Sequence, residues 1–112
     1  MSKHLLLAQH AQTYELAAGV PLDVDLPLNG AANWRFVVRN TGDTNPITAM
    51  AVTRAALGVD EQMDAAVAVT ADIPLAAGAR TAIVGTNEPL TTLRVTLTST
   101  AGTSVRIAGG GR

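Results

Sequence analysis

Apolar and polar residues alternate with a period of two along most of this chain, and that alternation decides what it can fold into. Leu22, Val24, Leu26 and Leu28 alternate with Asp23, Asp25 and Pro27. Trp34, Phe36 and Val38 alternate with Arg35, Val37 and Arg39. Leu93, Val95 and Leu97 stand against Thr92, Arg94, Thr96 and Thr98, and Val105 and Ile107 against Ser104 and Arg106. Successive side chains of a strand point to opposite faces, so each run reads as a strand with one dry face and one wet face. Turn signals separate the runs: Asn29-Gly30, the polar stretch 40–46, Ala76-Ala77-Gly78-Ala79, the stretch 85–89, and Thr100-Ala101-Gly102.

Shorter β-prone pieces fill the gaps at 47–53, 66–70 and 81–84, with further candidates at 14–16 and, for edge pairing, 5–8. Residues 54–65 break the pattern and read mainly as a long loop. Seven to nine short antiparallel strands with a turn every ten residues or so predict an all-β chain, a single immunoglobulin-like or jelly-roll-type β-sandwich. The 112 residues suffice for one core and no more. Residues 1–12 read as an N-terminal arm or edge strand, 13–108 as the sandwich, and 109–112 as a loose glycine tail. The last two strands are expected to form a hairpin.

The predicted core is Trp34, Phe36, Val38, Leu93, Val95, Leu97, Val105 and Ile107. Only Trp34, Phe36 and Tyr14 are aromatic, so Val, Leu, Ile and Ala must fill the remainder, and an alanine-rich interior is expected. At about 25 cal/mol per Å² of buried apolar area, such a core stabilises weakly and gains from association.

Charge sets the expectations for the surface. Charged residues make up 15% of the chain and apolar ones 47%, where an ordinary soluble domain carries about 25% charge. Either another protein covers part of the surface, or Thr, Ser, Asn and Gly solvate it. Seven of the eight basic residues are arginine, a residue favoured at protein interfaces because its planar fork sheds water readily; high genomic GC content gives the same bias. Leu5, Leu6, Leu7, Arg35, Arg39, Arg94 and Arg106 are the candidate interface residues. The basic residues are scattered in sequence and the net charge is −1, which argues against a nucleic-acid partner. No cysteine is present, so disulfide and thiolate chemistry are excluded. The early apolar run Leu5-Leu6-Leu7-Ala8 is too short for a signal segment or membrane span, which points to folding in a cytoplasm and no membrane partner.

No constellation of catalytic residues stands out. Asp23 and Asp25 share a strand face, where paired carboxylates serve acid–base work or calcium binding; a solvated strand face that discourages edge pairing explains them as well. Asp60, Glu61 and Asp64 form one acidic group, and Asn40, Asp43 and Asn45 a second oxygen-rich one, neither with calcium-loop spacing. His4 and His10 lack neighbouring ligands or a nucleophile. There is no G-x-S-x-G elbow, phosphate loop or dinucleotide fingerprint. The expectation is a non-enzyme with no catalytic residue, cofactor or metal site.

The run Trp34-Arg35-Phe36-Val37-Val38-Arg39-Asn40-Thr41-Gly42 with Ile47, followed by Ile73-Pro74-Leu75-Ala76-Ala77-Gly78-Ala79 and Leu93-Arg94-Val95-Thr96-Leu97-Thr98, resembles the strand–turn–strand segments of immunoglobulin-like sandwiches. A short, cysteine-free chain rich in Ala, Thr and Gly is similar to the capsid decoration, or cement, proteins of tailed bacteriophages. The resemblance implies a non-enzymatic virion protein, made in the host cytoplasm. It implies an oligomer, with a trimer favoured, and the major capsid protein or another virion protein as partner. A tail or neck component is the close variant, and a sugar- or calcium-binding sandwich module the alternative.

Overall fold

The computed structural model describes residues 7–56, 67–68, 73–86 and 90–112. Among them the chain forms eight strands: β1 (Ala8–Leu16), β2 (Leu22–Pro27), β3 (Trp34–Asn40), β4 (Ala49–Ala56), β5 (Val67–Ala68), β6 (Arg80–Gly85), β7 (Leu90–Thr98) and β8 (Thr103–Gly111). They make two four-stranded sheets of order β1-β8-β3-β6 and β2-β7-β4-β5, antiparallel throughout. We call these the first and second sheets. Apart from β4 and β5, consecutive strands lie in opposite sheets. This is the jelly-roll form of the two sandwiches the sequence allowed.

That crossing corrects one expectation. β7 and β8 are not a hairpin: β7 pairs with β2 and β4, and β8 with β1 and β3. The turn at 99–102 carries the chain from one sheet to the other. Asn29-Gly30 does the same between β2 and β3. Both residues have positive φ, 53° and 84°, and the Ala31 amide donates to the Leu28 carbonyl at 2.9 Å. Asn and Gly tolerate that left-handed pair where other residues are strained.

The alternating residues meet between the sheets. Trp34, Phe36 and Val38 of β3, Val105 and Ile107 of β8, and Ile83 of β6 face Val24 and Leu26 of β2, Leu93, Val95 and Leu97 of β7, and Met50 and Val52 of β4, all buried. Leu28, Ile47 and Leu75 close the ends. All eight predicted core residues lie here. The core is not alanine-rich: Ala8 and Ala31 are the only alanines among the described buried apolar residues. Leu, Val and Ile occupy the inward positions, while Ala11, Ala49 and Ala82 sit outward and exposed. Each fully buried large apolar side chain contributes roughly 1.5–3 kcal/mol, so the interior is stronger than composition suggests.

At the N-terminal end the edge-strand reading holds over the described residues, and at the C-terminal end the structure differs from expectation. Residues 8–12 belong to β1, an edge strand of the domain's own sheet; Leu5 and Leu6 lie outside the described residues. Gly109, Gly110 and Gly111 are not a tail. They continue β8 between β1 and β3, facing His10, Gln9 and Ala8 on one side and Phe36, Arg35 and Trp34 on the other. A Cβ at Gly109 would strike the Arg35 carbonyl, and one at Gly110 the Ala8 carbonyl. Glycine is needed here because two backbones close in on a third. The predicted loop at 54–65 begins later than expected, since β4 runs to Ala56; Asp60, Glu61 and Asp64 lie outside the described residues.

Candidate functional site: an arginine-bearing sheet face

Strand register determines which side chains gather on the outer face of the first sheet. Outward positions of β1, β8, β3 and β6 line up in three cross-strand rows: Thr13, Arg106, Arg39 and Arg80; then Ala11, Ala108, Val37 and Ala82; then Gln9, Gly110, Arg35 and Val84. Arg106 is directly opposite Arg39, and Arg39 directly opposite Arg80. Directly opposed residues hold their Cβ atoms about 4.5–5.5 Å apart, and like charges there destabilise the sheet. Four of the eight basic residues thus share one face, around a middle row of Ala and Val.

None of Arg35, Arg39, Arg80 and Arg106 has a carboxylate partner among the described residues, and Arg35, Arg39, Arg80 and Arg106 are all exposed. Glu15, one row beyond Thr13 on β1, is the acidic residue on these strands among the described residues. Shallow depressions interrupt the face, two of them beside the arginines. One, of about 490 Å³, opens over Gly110, where β8 has no side chain, and is lined by Gln9, Arg35, Val84 and Arg112 among others. The other, of about 410 Å³, lies among Arg35, Val37, Arg80, Thr81 and Ala82. Such a face suits a partner that presents carboxylates around a small apolar patch.

The outer face of the second sheet has the opposite character. Its Asp23 and Asp25 stand opposite Thr96 and Arg94. Arg94 Nε donates to Asp25 Oδ1 at 2.6 Å and its Nη2 to Oδ2 at 3.2 Å, while the Thr96 hydroxyl donates to Asp23 at 2.7 Å. The Arg94 hydrogen bond holds the Asp25 carboxyl below its ordinary range. The solvated-face reading of this pair fits these contacts. They also separate Arg94 from the other interface candidates: it is on the far sheet and engaged by Asp25. Arg80, absent from those candidates, takes its place.

The remaining chemistry-bearing side chains are occupied within the fold. Asn40 is completely buried. Its amide group donates to the carbonyls of Asn45 and Leu75 at 2.9 and 3.0 Å, and its Oδ1 accepts from the Gly42 amide and the Thr103 hydroxyl at 3.0 and 2.9 Å. Asn45 donates to the Gly102 carbonyl at 2.8 Å, and Asp43 is exposed. This oxygen-rich group therefore ties loops together. Among the described residues no cluster of His, Asp or Glu has the makings of a metal site. His10 stacks on Tyr14, with ring centroids 6.0 Å apart and planes 4° from parallel, and its Nε2 lies 2.8 Å from the Tyr14 hydroxyl. Partial burial lowers the His10 pKa and raises that of Tyr14. His4 lies outside the described residues.

No protein-family model matches the sequence, and no curated protein matches it. Solved structures do resemble the fold. A CBM32 module of a family 31 glycoside hydrolase from Clostridium perfringens is 11% identical with a TM-score of 0.54, over 89% of this chain and 75% of that one. A chitosan-binding module of a chitosanase/glucanase from Paenibacillus sp. IK-5 is 14% identical with a TM-score of 0.53, over 93% and 98%. A chain of the infectious bursal disease virus Gx strain is 17% identical with a TM-score of 0.48; this protein spans 29% of its length. At these identities the likeness is one of fold.

Proposed function

We propose that this chain is a non-enzymatic structural protein of a phage particle. On this reading it is a capsid decoration protein that braces the shell by laying the outer face of its first sheet against acidic surface of the capsid protein. The observation that carries the reading is the arginine row of β8, β3 and β6, kept at a cost in like-charge repulsion and with no carboxylate partner among the described residues. A partner's carboxylates would relieve that repulsion and gain bidentate hydrogen bonds. The low overall charge and the capture of Asp23, Asp25, Asn40 and His10 by internal contacts support a binding role over catalysis. A tail or neck component that uses the same face is the close variant.

Two of the fold neighbours bear the names of carbohydrate-binding modules. Sugar recognition commonly wants an exposed aromatic platform. Trp34 and Phe36 are buried and Tyr14 is half-buried against His10, which favours the protein-binding reading.

The test is co-sedimentation of the purified protein with empty shells of the phage that encodes it. Saturable binding that weakens with salt, and is lost in Arg39→Ser/Arg106→Ser, is the expected result. No binding to shells, or binding that the double variant and salt leave unchanged, would overturn the proposal.

A further inference from the structure

Each sandwich sheet has two edges, and an edge strand exposes a row of backbone donors and acceptors that invites pairing unless something blocks it. Among the described residues three of the four edges are blocked or short: β2 bears Asp23 and Asp25 and ends at Pro27, β5 shows two residues, and β6 begins at the exposed Arg80. β1 has no such block. It runs nine residues, AQHAQTYEL, in unbroken register with β8, with no bulge, no proline and one charge, Glu15.

The hydrogen-bond phase shows which groups are free. Asn33 and Arg112 exchange both backbone bonds, at 3.0 and 2.8 Å. In an antiparallel sheet such pairs recur at every second residue. The even-numbered positions 104–110 of β8 therefore face β3, and the odd-numbered ones face β1. Their partners on β1 are Ala8, His10, Gln12, Tyr14 and Leu16. The backbone groups of Gln9, Ala11, Thr13 and Glu15 then point away from the sheet, and no backbone partner for those four stands on that side among the described residues.

We propose that β1 pairs with β1 of a second copy, antiparallel about a two-fold axis at Gln12, making one continuous eight-stranded sheet. The sequence is self-complementary in that register. Gln9 meets Glu15, Ala11 meets Thr13, and His10 meets Tyr14, each twice. The four hydrogen-bonded pairs use the backbone groups left free, and each exchanges two bonds. The single charge on the strand meets an amide instead of its own copy. His10 and Tyr14, already partners within one chain, face each other again across the axis. The pairing is isologous and closes at two copies, so the state is a dimer in place of the trimer implied by the resemblance. It also sets two arginine faces side by side in one plane.

The experiment is native mass by size-exclusion chromatography with light scattering on the full chain, with variants that touch only the free edge. Wild type is expected at twice the 11.5 kDa chain mass. Ala11→Pro removes a free-edge N–H without cutting a bond to β8 and is expected to halve the mass. Gln9→Glu places acid against Glu15 and should also halve it, while Gln9→Lys should hold the dimer to greater dilution. Because the chain has no cysteine, Gln12→Cys should oxidise to a covalent dimer far faster than Thr100→Cys, an exposed control. Opposed residues at a non-hydrogen-bonded position have Cα atoms about 4.5 Å apart, within disulfide range. A monomeric wild type, a trimer, or a dimer indifferent to Gln9→Glu with Gln12→Cys no faster than the control would overturn the proposal.

Discussion

Asn40→Ala tests whether the end of β3 is a structural clamp. Asn40 binds three separate pieces of chain: its own following loop through Asn45 and Gly42, the Leu75 segment, and the start of β8 through Thr103. Its backbone adds bonds to Ala79 and Gly78, each at 2.9 Å. The substitution deletes four side-chain hydrogen bonds. The consequences differ by partner. The Leu75 carbonyl keeps the Ile47 amide at 2.9 Å, and the half-buried Thr103 hydroxyl can turn to water. The Gly42 amide and Asn45 carbonyl lose the partner that satisfied them. With each bond contributing about 1 kcal/mol net and each bared half-buried group costing near the low end of about 1–3 kcal/mol, the loss is on the order of 3 kcal/mol. A urea slope of about 1–3 kcal/mol/M turns that into a midpoint lower by about 1–3 M. Trp34, the single tryptophan, is 5% exposed, so its fluorescence reports the unfolding. Asn40→Asp adds a sign test. Its carboxylate would face the Asn45 and Leu75 carbonyls in a buried site, so its pKa would rise above the unfolded value. The deficit would then be largest at neutral pH and shrink as pH falls through the folded pKa. A cost for Asn40→Ala within about 0.5 kcal/mol, typical of an ordinary surface substitution, would refute the clamp.

Other outcomes follow from the same contacts. Gly109→Ala should lower the urea midpoint strongly, because its Cβ has no room beside the Arg35 carbonyl; a glycine tail would tolerate the change. Arg39→Thr removes two like-charge neighbours and should stabilise the isolated chain by about 0.4–2 kcal/mol, about 0.2–1 per relieved pair, at low salt, while weakening binding to an acidic partner; the urea midpoint at two salt concentrations measures it. Asp25 has a lowered pKa from Arg94. Its contribution is therefore present above the unfolded carboxylate pKa and fades as pH falls through the folded one, and Asp25→Asn should flatten that part of the stability–pH curve. His10 has a lowered pKa from burial, so its neutral form is favoured in the folded state. His10→Gln should remove a loss of stability seen as pH drops below 6.5.

How much of this was legible in the sequence depends on whether the signal is local. The inward positions of β2, β3, β7 and β8 follow from alternation alone, and Trp34, Phe36, Leu93 and Ile107 are buried where it puts them. Alternation says nothing of which strands pair. The 99–102 turn reads as a hairpin because hairpin turns and sheet-crossing turns use the same residues. Only the competition of β2 and β4 for β7, and of β1 and β3 for β8, separates them. The glycines at 109–111 read as a tail because glycine signals both freedom and close approach. The site shows the same divide. That Arg35, Arg39 and Arg106 point outward was readable from period two. That Arg106, Arg39 and Arg80 form one row was not, since it requires the register of three strands whose members lie far apart in sequence. Arg94 has the same outward pattern, and only its pairing with Asp25 across the other sheet sets it apart. Asn40 looks like a turn residue, and its burial comes from segments that pack on it from 35 and 63 residues away.

The most telling measurement is the structure of the phage shell proposed above as this protein's partner, determined with the protein bound. Arg39, Arg80 and Arg106 on the outer face of β8, β3 and β6 are expected to lie against carboxylates of the capsid protein. Contact through the Asp23–Asp25 face, through a loop end alone, or a shell that does not carry the protein would contradict it.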